Sequence, residues 1–225
     1  MNTSEVGASR TQRYRLGDLC EISRQQAESR HQSLRYVGLE HIEAGTGVIL
    51  EPAPNNDTAG RSAFLFDGRH VLYGKLRPYL NKVALPDQPG RCSMELVPLL
   101  PRPNITREYL AGILRSPRVI AYAVAHSTGA RMPRADIKAL FGYEVYVPPL
   151  EEQRRIVDLL NRAEGIRRLA EEAQAKARDL IPALFVDMFG DPATNPKGWP
   201  LSPLDELVRF QSGGTPSRAQ RVYWG

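Results

Sequence analysis

Two stretches of this chain carry side chains at spacings that suit the binding of an anion. In Leu72-Tyr-Gly-Lys-Leu-Arg-Pro-Tyr-Leu-Asn-Lys82, the bases Lys75, Arg77 and Lys82 are interleaved with Tyr73 and Tyr79. Lysine and arginine anchor phosphates, arginine grips guanine edges, and tyrosine packs against sugars or bases. Gly74 lets the backbone turn and Pro78 forbids a helix at that point, so the expectation is an irregular recognition loop, with a solvated basic hairpin as the bland alternative. The second stretch, His126-Ser-Thr-Gly-Ala-Arg-Met-Pro-Arg-Ala-Asp-Ile-Lys138, sets Arg131, Arg134 and Lys138 around Pro133. Its backbone amides near Gly129 and its two arginines are suited to phosphate oxygens.

Covalent chemistry has less support. His41 beside Glu40, or His126 with a nearby acid, would be the base of a hydrolase, but a lone histidine on a strand is more often structural. No Asp-Pro-Pro-Tyr or Asn-Pro-Pro-Phe methyltransferase motif, phosphate loop or Glu-X-Lys nuclease signature occurs. Cys20 and Cys92 stand alone, without metal-ligand spacing, and read as buried thiols. Hence no catalytic residue, metal or cofactor is expected.

The elements that must position the two basic stretches follow from pattern. A chain of 225 residues that is 42% hydrophobic can bury a core in one large or two modest domains. No apolar run is long enough for a membrane span and the first 14 residues are polar, so the reading is a cytoplasmic protein with no membrane partner. After a polar, disordered lead-in over residues 1–13, a short helix runs into a strand at 14–22. Strands are expected at 35–42, 48–51, 71–73, 92–100 and 142–147, with a loop at 52–60. An amphipathic helix over 107–126 is broken at Pro117, and another spans 135–140. Residues 1–148 hold 19 Lys and Arg against 14 Asp and Glu, which accounts for the whole net charge of +5. Residues 149–190 are nearly neutral, with 7 basic and 8 acidic side chains. A basic head on a neutral stalk favours an anionic partner such as nucleic acid, and counts against the alternative of a coiled-coil adaptor without DNA binding.

The stalk itself is one long helix over residues 149–189. Ile156, Leu159, Ala163, Ile166, Ala170, Ala173, Ala177, Leu180 and Leu184 recur at alternating steps of three and four. That period is the narrow seam of a coiled coil, whose knobs need holes on a facing helix. The alanines allow close approach but bury little area per layer. Pro148 and Pro149 set the start and Glu151 and Glu152 favour the positive end of the helix dipole, while Pro182 should kink or end the seam. From 150 to 181 the helix would measure about 48 Å at roughly 1.5 Å per residue. The fold class is therefore α+β: one mixed α/β domain followed by a long coiled-coil-forming helix.

Beyond Gly190, residues 191–198 read as a linker. Leu201, Leu204, Glu206 and Leu207 then echo Leu16, Leu19, Glu21 and Ile22 at an offset of 185, a faint internal repeat. The expected organisation is a head at 1–148, a spacer helix at 149–190, and at 191–225 a linker with the unfinished start of a second head.

Leu72-Tyr-Gly-Lys-Leu-Arg-Pro-Tyr-Leu-Asn-Lys82, Ser127-Thr-Gly-Ala-Arg131, Val147-Pro-Pro-Leu-Glu-Glu-Gln-Arg-Arg-Ile-Val157 and Ser212-Gly-Gly-Thr-Pro216 together resemble the specificity subunit of type I restriction-modification systems, over nearly the whole chain. The resemblance implies a target-recognition domain that binds double-stranded DNA and reads half of a bipartite site. It implies methyltransferase subunits as direct partners, a restriction subunit as an indirect one, and no chemistry in the chain itself. Family members carry two such domains joined by two long helices that pair antiparallel. One domain and one helix are complete here, so the helix is expected to pair with a second copy or another half-subunit through its apolar stripe.

Overall fold

The computed structural model describes residues 11–51, 62–209 and 213. The chain divides into two compact units, Met1–Gly165 and Ile166–Gly225. In the first, β1 (Gln12–Arg15) leads into a helical turn, α1 (Leu16–Leu19), and β2 (Cys20–Ile22). Next come β3 (Tyr36–Val37), β4 (Ala63–Phe66), β5 (Val71–Gly74), β6 (Val83–Ala84), β7 (Gly90–Ser93) and β8 (Leu96–Pro101). Helices α2 (Arg107–Arg115) and α3 (Pro117–Ala125) are followed by β9 (Ser127–Thr128), β10 (Arg134–Ala135), α4 (Ile137–Gly142) and β11 (Glu144–Val147). The long helix α5 is Leu150–Phe189, and a last turn, α6, is Leu204–Leu207. This is the expected mixed α/β domain followed by a long helix.

Strands β2, β8, β5 and β6 make an antiparallel sheet, and β3, β7 and β4 a second in which β3 and β7 run parallel. Strand β5 is buried throughout, and its period of two sorts its side chains between two clusters. Val71 and Tyr73 join Leu16, Leu19, Leu99, Leu110, Leu114 and Leu140, whereas Leu72 packs with Val37, Ile42, Phe66, Cys92 and Leu96. Burial pushes both thiols, Cys20 and Cys92, up to about 12, as inert core residues.

Several expectations are corrected. Gln12 and Arg13 belong to β1, which pairs with β11 and closes the head, while residues 1–10 lie outside the described residues. Residues 35–42 hold only the two-residue β3 and then a 3-10 turn, Leu39–His41. Residues 48–51 form no strand beyond the bridge between Ile42 and Ile49. The loop expected at 52–60 lies outside the described residues. The single strand expected at 92–100 is two strands in different sheets, β7 and β8, joined by a turn at Met94 and Glu95, where Met94 is exposed rather than core. Ala135 is in β10, and α4 begins only after Asp136, whose carboxylate accepts from the Lys138 and Ala139 amides.

The side chain of Gln153 ties helix α5 to the head by hydrogen bonds, with Ile156 and Val157 half-buried on the next turn. Gln153 is fully buried; its Oε1 accepts from the Thr106 amide at 2.9 Å, and its Nε2 donates to the carbonyls of Asn104 at 3.0 Å and Pro148 at 2.8 Å. Thr106 in turn caps α2 through its hydroxyl. From residue 158 onward nearly every side chain of α5 is exposed, including the seam residues Leu159, Ala163, Ile166, Ala170, Ala173, Ala177 and Leu180. Ile156 is half-buried at the head. Pro182 does not end the helix, which continues to Phe189; one missing N–H is a local loss that a 40-residue helix absorbs.

In the second unit the stop comes at Gly190, in the left-handed region at φ +81, where glycine meets no Cβ penalty. The following loop folds back as a cap. Lys197 Nζ donates to the carbonyls of Asp187 and Met188, and Trp199 Nε1 donates to that of Phe189 at 2.8 Å. The helical turn of the tail is Leu204–Leu207, so Leu-Asp-Glu-Leu matches the Leu-Gly-Asp-Leu of α1 at an offset of 188, not 185. Gln211-Ser-Gly-Gly-Thr-Pro-Ser217 falls, Gly213 apart, outside the described residues, as does Tyr223-Trp-Gly225. Among the described residues no helix is long and apolar enough to cross a membrane.

Candidate nucleic-acid interface

The two basic stretches, some fifty residues apart in sequence, meet on the head. The Arg77 amide donates to the Pro133 carbonyl at 2.7 Å, and the Ala135 amide to the Lys75 carbonyl at 2.8 Å. Leu76 and Arg134 form a bridge, and the Lys75 amide donates to the Glu95 carbonyl at 3.0 Å in the turn between β7 and β8. The β9–β10 hairpin, the loop after β5 and the β7–β8 turn are thus stitched by backbone hydrogen bonds into one surface.

Within it, Arg77, Tyr79, Arg131 and Lys138 are exposed and Lys75 is half-buried. Arg77 has φ +51 and Asn81 φ +50, both left-handed, flanking a 3-10 turn, Pro78–Leu80. Pro78 opens this turn, contrary to the expectation that it forbids helix, because the first position of a helical turn needs no N–H donor. Non-glycine residues held left-handed cost about 1–2 kcal/mol each, strain that concentrates at working loops.

Three of the predicted residues are already engaged. Tyr73 is only 4% exposed and faces the core, with its hydroxyl pushed up to about 12 by burial, so it supports the loop from beneath. Lys82 Nζ donates to the Leu39 carbonyl at 2.7 Å. Arg134 makes a two-pronged ion pair with Glu95, at 2.9 to 3.1 Å, and the carboxylate's hydrogen bonds raise the guanidinium's affinity for its proton.

Beneath the loop lies a buttress. The Gly45 amide donates to the Leu80 and Asn81 carbonyls, and Gly47, at φ +71, sits directly against the Val83 carbonyl. Arg115 of α2 donates to that carbonyl from Nε at 3.1 Å and Nη2 at 2.6 Å. Glu95, Arg115 and Gly47 carry no sequence signal for these roles, since each acts through a partner distant in the chain.

The histidines hold the chain locally. His41 is buried and its Nδ1 accepts from the Gly38 amide at 3.0 Å. His126 stacks on Tyr122 with ring centroids 3.9 Å apart, and its Nδ1 donates to the Tyr122 carbonyl. Among the described residues, no three His, Cys, Asp or Glu side chains are grouped to hold a metal ion.

The mixed α/β head continued by a long helix matches the fold of solved chains of type I restriction-modification systems. The crystal structure of the HsdS subunit from Thermoanaerobacter tengcongensis matches with a TM-score of 0.59 at 24% identity, over 86% of this chain and 52% of that one. A chain from a structure on the complex assembly and conformational transition of the type I R-M system matches with a TM-score of 0.64, also at 24% identity, over 93% of this chain and 57% of that one. The type I restriction enzyme EcoDI specificity subunit of Escherichia coli is 28% identical over 159 residues, 66% of this chain and 34% of that protein. The present chain therefore spans about a third of the length of that relative and about half that of the solved chains. The model of the type I restriction modification DNA specificity domain matches residues 9–176, and the chain belongs to that family.

Proposed function

We propose that this chain reads one half of a bipartite sequence in duplex DNA through the surface formed by residues 75–82, the β7–β8 turn and residues 127–138. On this reading it directs methyltransferase subunits, and through them a restriction subunit, to the site. The observation that carries the reading is the pair of backbone hydrogen bonds, Arg77 to Pro133 and Ala135 to Lys75, that make one basic surface of two separate loops. Arg77, Arg131 and Lys138 are the side chains free to reach phosphates, and Arg134 is held rigid by Glu95.

The triple variant Arg77→Gly, Arg131→Ala, Lys138→Ala tests this. Glycine suits the left-handed backbone at 77, so the charge is removed without unfolding the loop. Each lost phosphate contact should flatten the slope of log affinity against log salt by about 0.9, so the triple variant should lose about 2 to 3 in slope. A folded triple variant with unaltered slope and affinity rules this surface out.

The chain itself is proposed to carry no catalysis. Purified protein given DNA, magnesium and S-adenosylmethionine should transfer no methyl group until methyltransferase subunits are added; transfer in their absence overturns that part of the reading.

The exposed stripe of α5 supports pairing with a second helix, because contiguous exposed apolar surface marks an interface. A two-fold pair of this chain would carry two equivalent heads, which would read a palindromic, interrupted site.

A further inference from the structure

Arg134 differs from Arg77, Arg131 and Lys138 in being held before any partner arrives. Its Nε donates to both carboxylate oxygens of Glu95 at 3.1 Å and its Nη2 to Oε1 at 2.9 Å, so one edge of the guanidinium is taken. Nη1 and the second hydrogen of Nη2 have no partner among the described residues, and the side chain stays 45% exposed. We infer that Arg134 reads a guanine in the major groove through this remaining end of its fork, and that Glu95 is the positioning residue that aims it. The inference rests on the DNA reading proposed above and assigns one base preference within it.

The backbone fixes where the fork stands. Arg134 is the middle of a row, with Thr128 of β9 opposite it on one side and Leu76 on the other. Residues directly opposite one another across strands share a face. The next residue of β10, Ala135, is buried, so by the period of two Arg134 stands on the face turned away from the core. Glu95 comes from the turn between β7 and β8, and its carbonyl accepts from the Lys75 amide while the Lys75 carbonyl accepts from the Ala135 amide. Both members of the ion pair are therefore anchored through main chain to the same residue.

Charge and geometry together choose a base over a phosphate. The pair carries no net charge, and a phosphate drawn to Arg134 would also meet the carboxylate of Glu95. Arg77, Arg131 and Lys138 remain for phosphates, which accept hydrogen bonds from many directions. A fixed fork of donors fits an edge that offers two acceptors side by side, and in the major groove guanine does so at O6 and N7. Adenine sets an amino donor beside its N7, cytosine presents an amino donor, and thymine offers O4 beside a methyl group. Because Glu95 fixes the rotamer, the entropy of ordering this long side chain is lost on folding rather than on binding.

The test is selection of the full chain's binders from a pool of randomised DNA duplexes, followed by affinities for the selected duplex and its single-pair substitutions. The double variant Glu95→Gln, Arg134→Gln removes one charge of each sign, so its slope of log affinity against log salt should match that of the wild type. Its preference for one G·C pair should fall by about 10- to 100-fold while the other positions keep theirs. Glu95→Gln alone releases the arginine: the same preference should fall, and the slope should steepen by up to about 0.9 as the guanidinium turns to a phosphate. Arg134→Gln, at an exposed site, should show the same loss of preference and decides the base reading should Glu95→Gln not fold. A double variant that keeps every preference, or that weakens all duplexes alike, overturns the assignment of Arg134 and leaves the surface as the DNA site. A Glu95→Gln chain with wild-type preference and slope overturns the positioning role. A wild type that selects no sequence overturns the DNA reading itself, and this inference with it.

Discussion

Gln153→Leu should destabilise the head by about 3 kcal/mol or more, although it replaces a polar side chain in the interior with an apolar one of similar size. The reason is what the amide leaves behind. The Thr106 amide and the Asn104 and Pro148 carbonyls all lose their partner in a partly or fully buried place, and each such orphan costs about 1–3 kcal/mol. For a domain of this size, about 2–4 °C of melting temperature follows each kcal/mol, so a fall of roughly 6–12 °C is expected by thermal melt. Gln153→Glu separates polarity from packing. The carboxylate can still accept from Thr106, but its other oxygen faces two carbonyls it cannot donate to, in a site where charge is costly. Glu should therefore be at least as damaging as Leu; a Glu variant of wild-type stability would show that the amide's two donated bonds carry nothing.

Gly47→Ala is expected to cost about 3 kcal/mol or more and to weaken DNA binding with it. A Cβ there would overlap the Val83 carbonyl and the Arg115 guanidinium, and the backbone at φ +71 is strained for any L side chain. Backbone on one side and a doubly hydrogen-bonded arginine on the other leave little room to yield. The turn at 43–47 would lift, withdrawing the Gly45 amide from Leu80 and Asn81, the floor of the Arg77 loop. Gly45→Ala is the matched comparison, because it shares the left-handed backbone but meets nothing within 4 Å. Urea melts of the two variants should therefore separate clash from strain. Equal losses would assign the whole effect to the backbone.

Local patterns were legible where one element explains itself. The seam of α5, the break at Pro117 and the alternation of β5 are periodicities of a single segment, and a single sequence displays them. The two basic stretches were also visible, because charge and glycine announce loops. What could not be read was which side chains the fold would claim first. Tyr73, at the end of a buried strand, had to face one core cluster or the other once Leu72 faced its neighbour. Lys82 and Arg134 were claimed by the Leu39 carbonyl and by Glu95, partners 43 and 39 residues away. The repeat register slipped by three for a related reason: leucines recur at that spacing in both segments, and only the helical turns show which set corresponds. Gln153 lies within the Pro-Pro-Leu-Glu-Glu-Gln run, but its role depends on Asn104 and Thr106, which no local pattern links to it.

The stitching of the Lys75, Glu95 and Ala135 backbones bears on how such a head can be rebuilt. Because the three segments share hydrogen bonds through main-chain atoms, a loop transplanted from a homologue arrives without its counterparts and must find them in a foreign backbone. Chimeras that exchange residues 71–138 as one block keep every stitch internal. The same block contains Asn104 and Thr106, so the donor must present those two backbone groups to the resident Gln153, which makes this one glutamine the adaptor through which a new head could be fitted to an unchanged stalk.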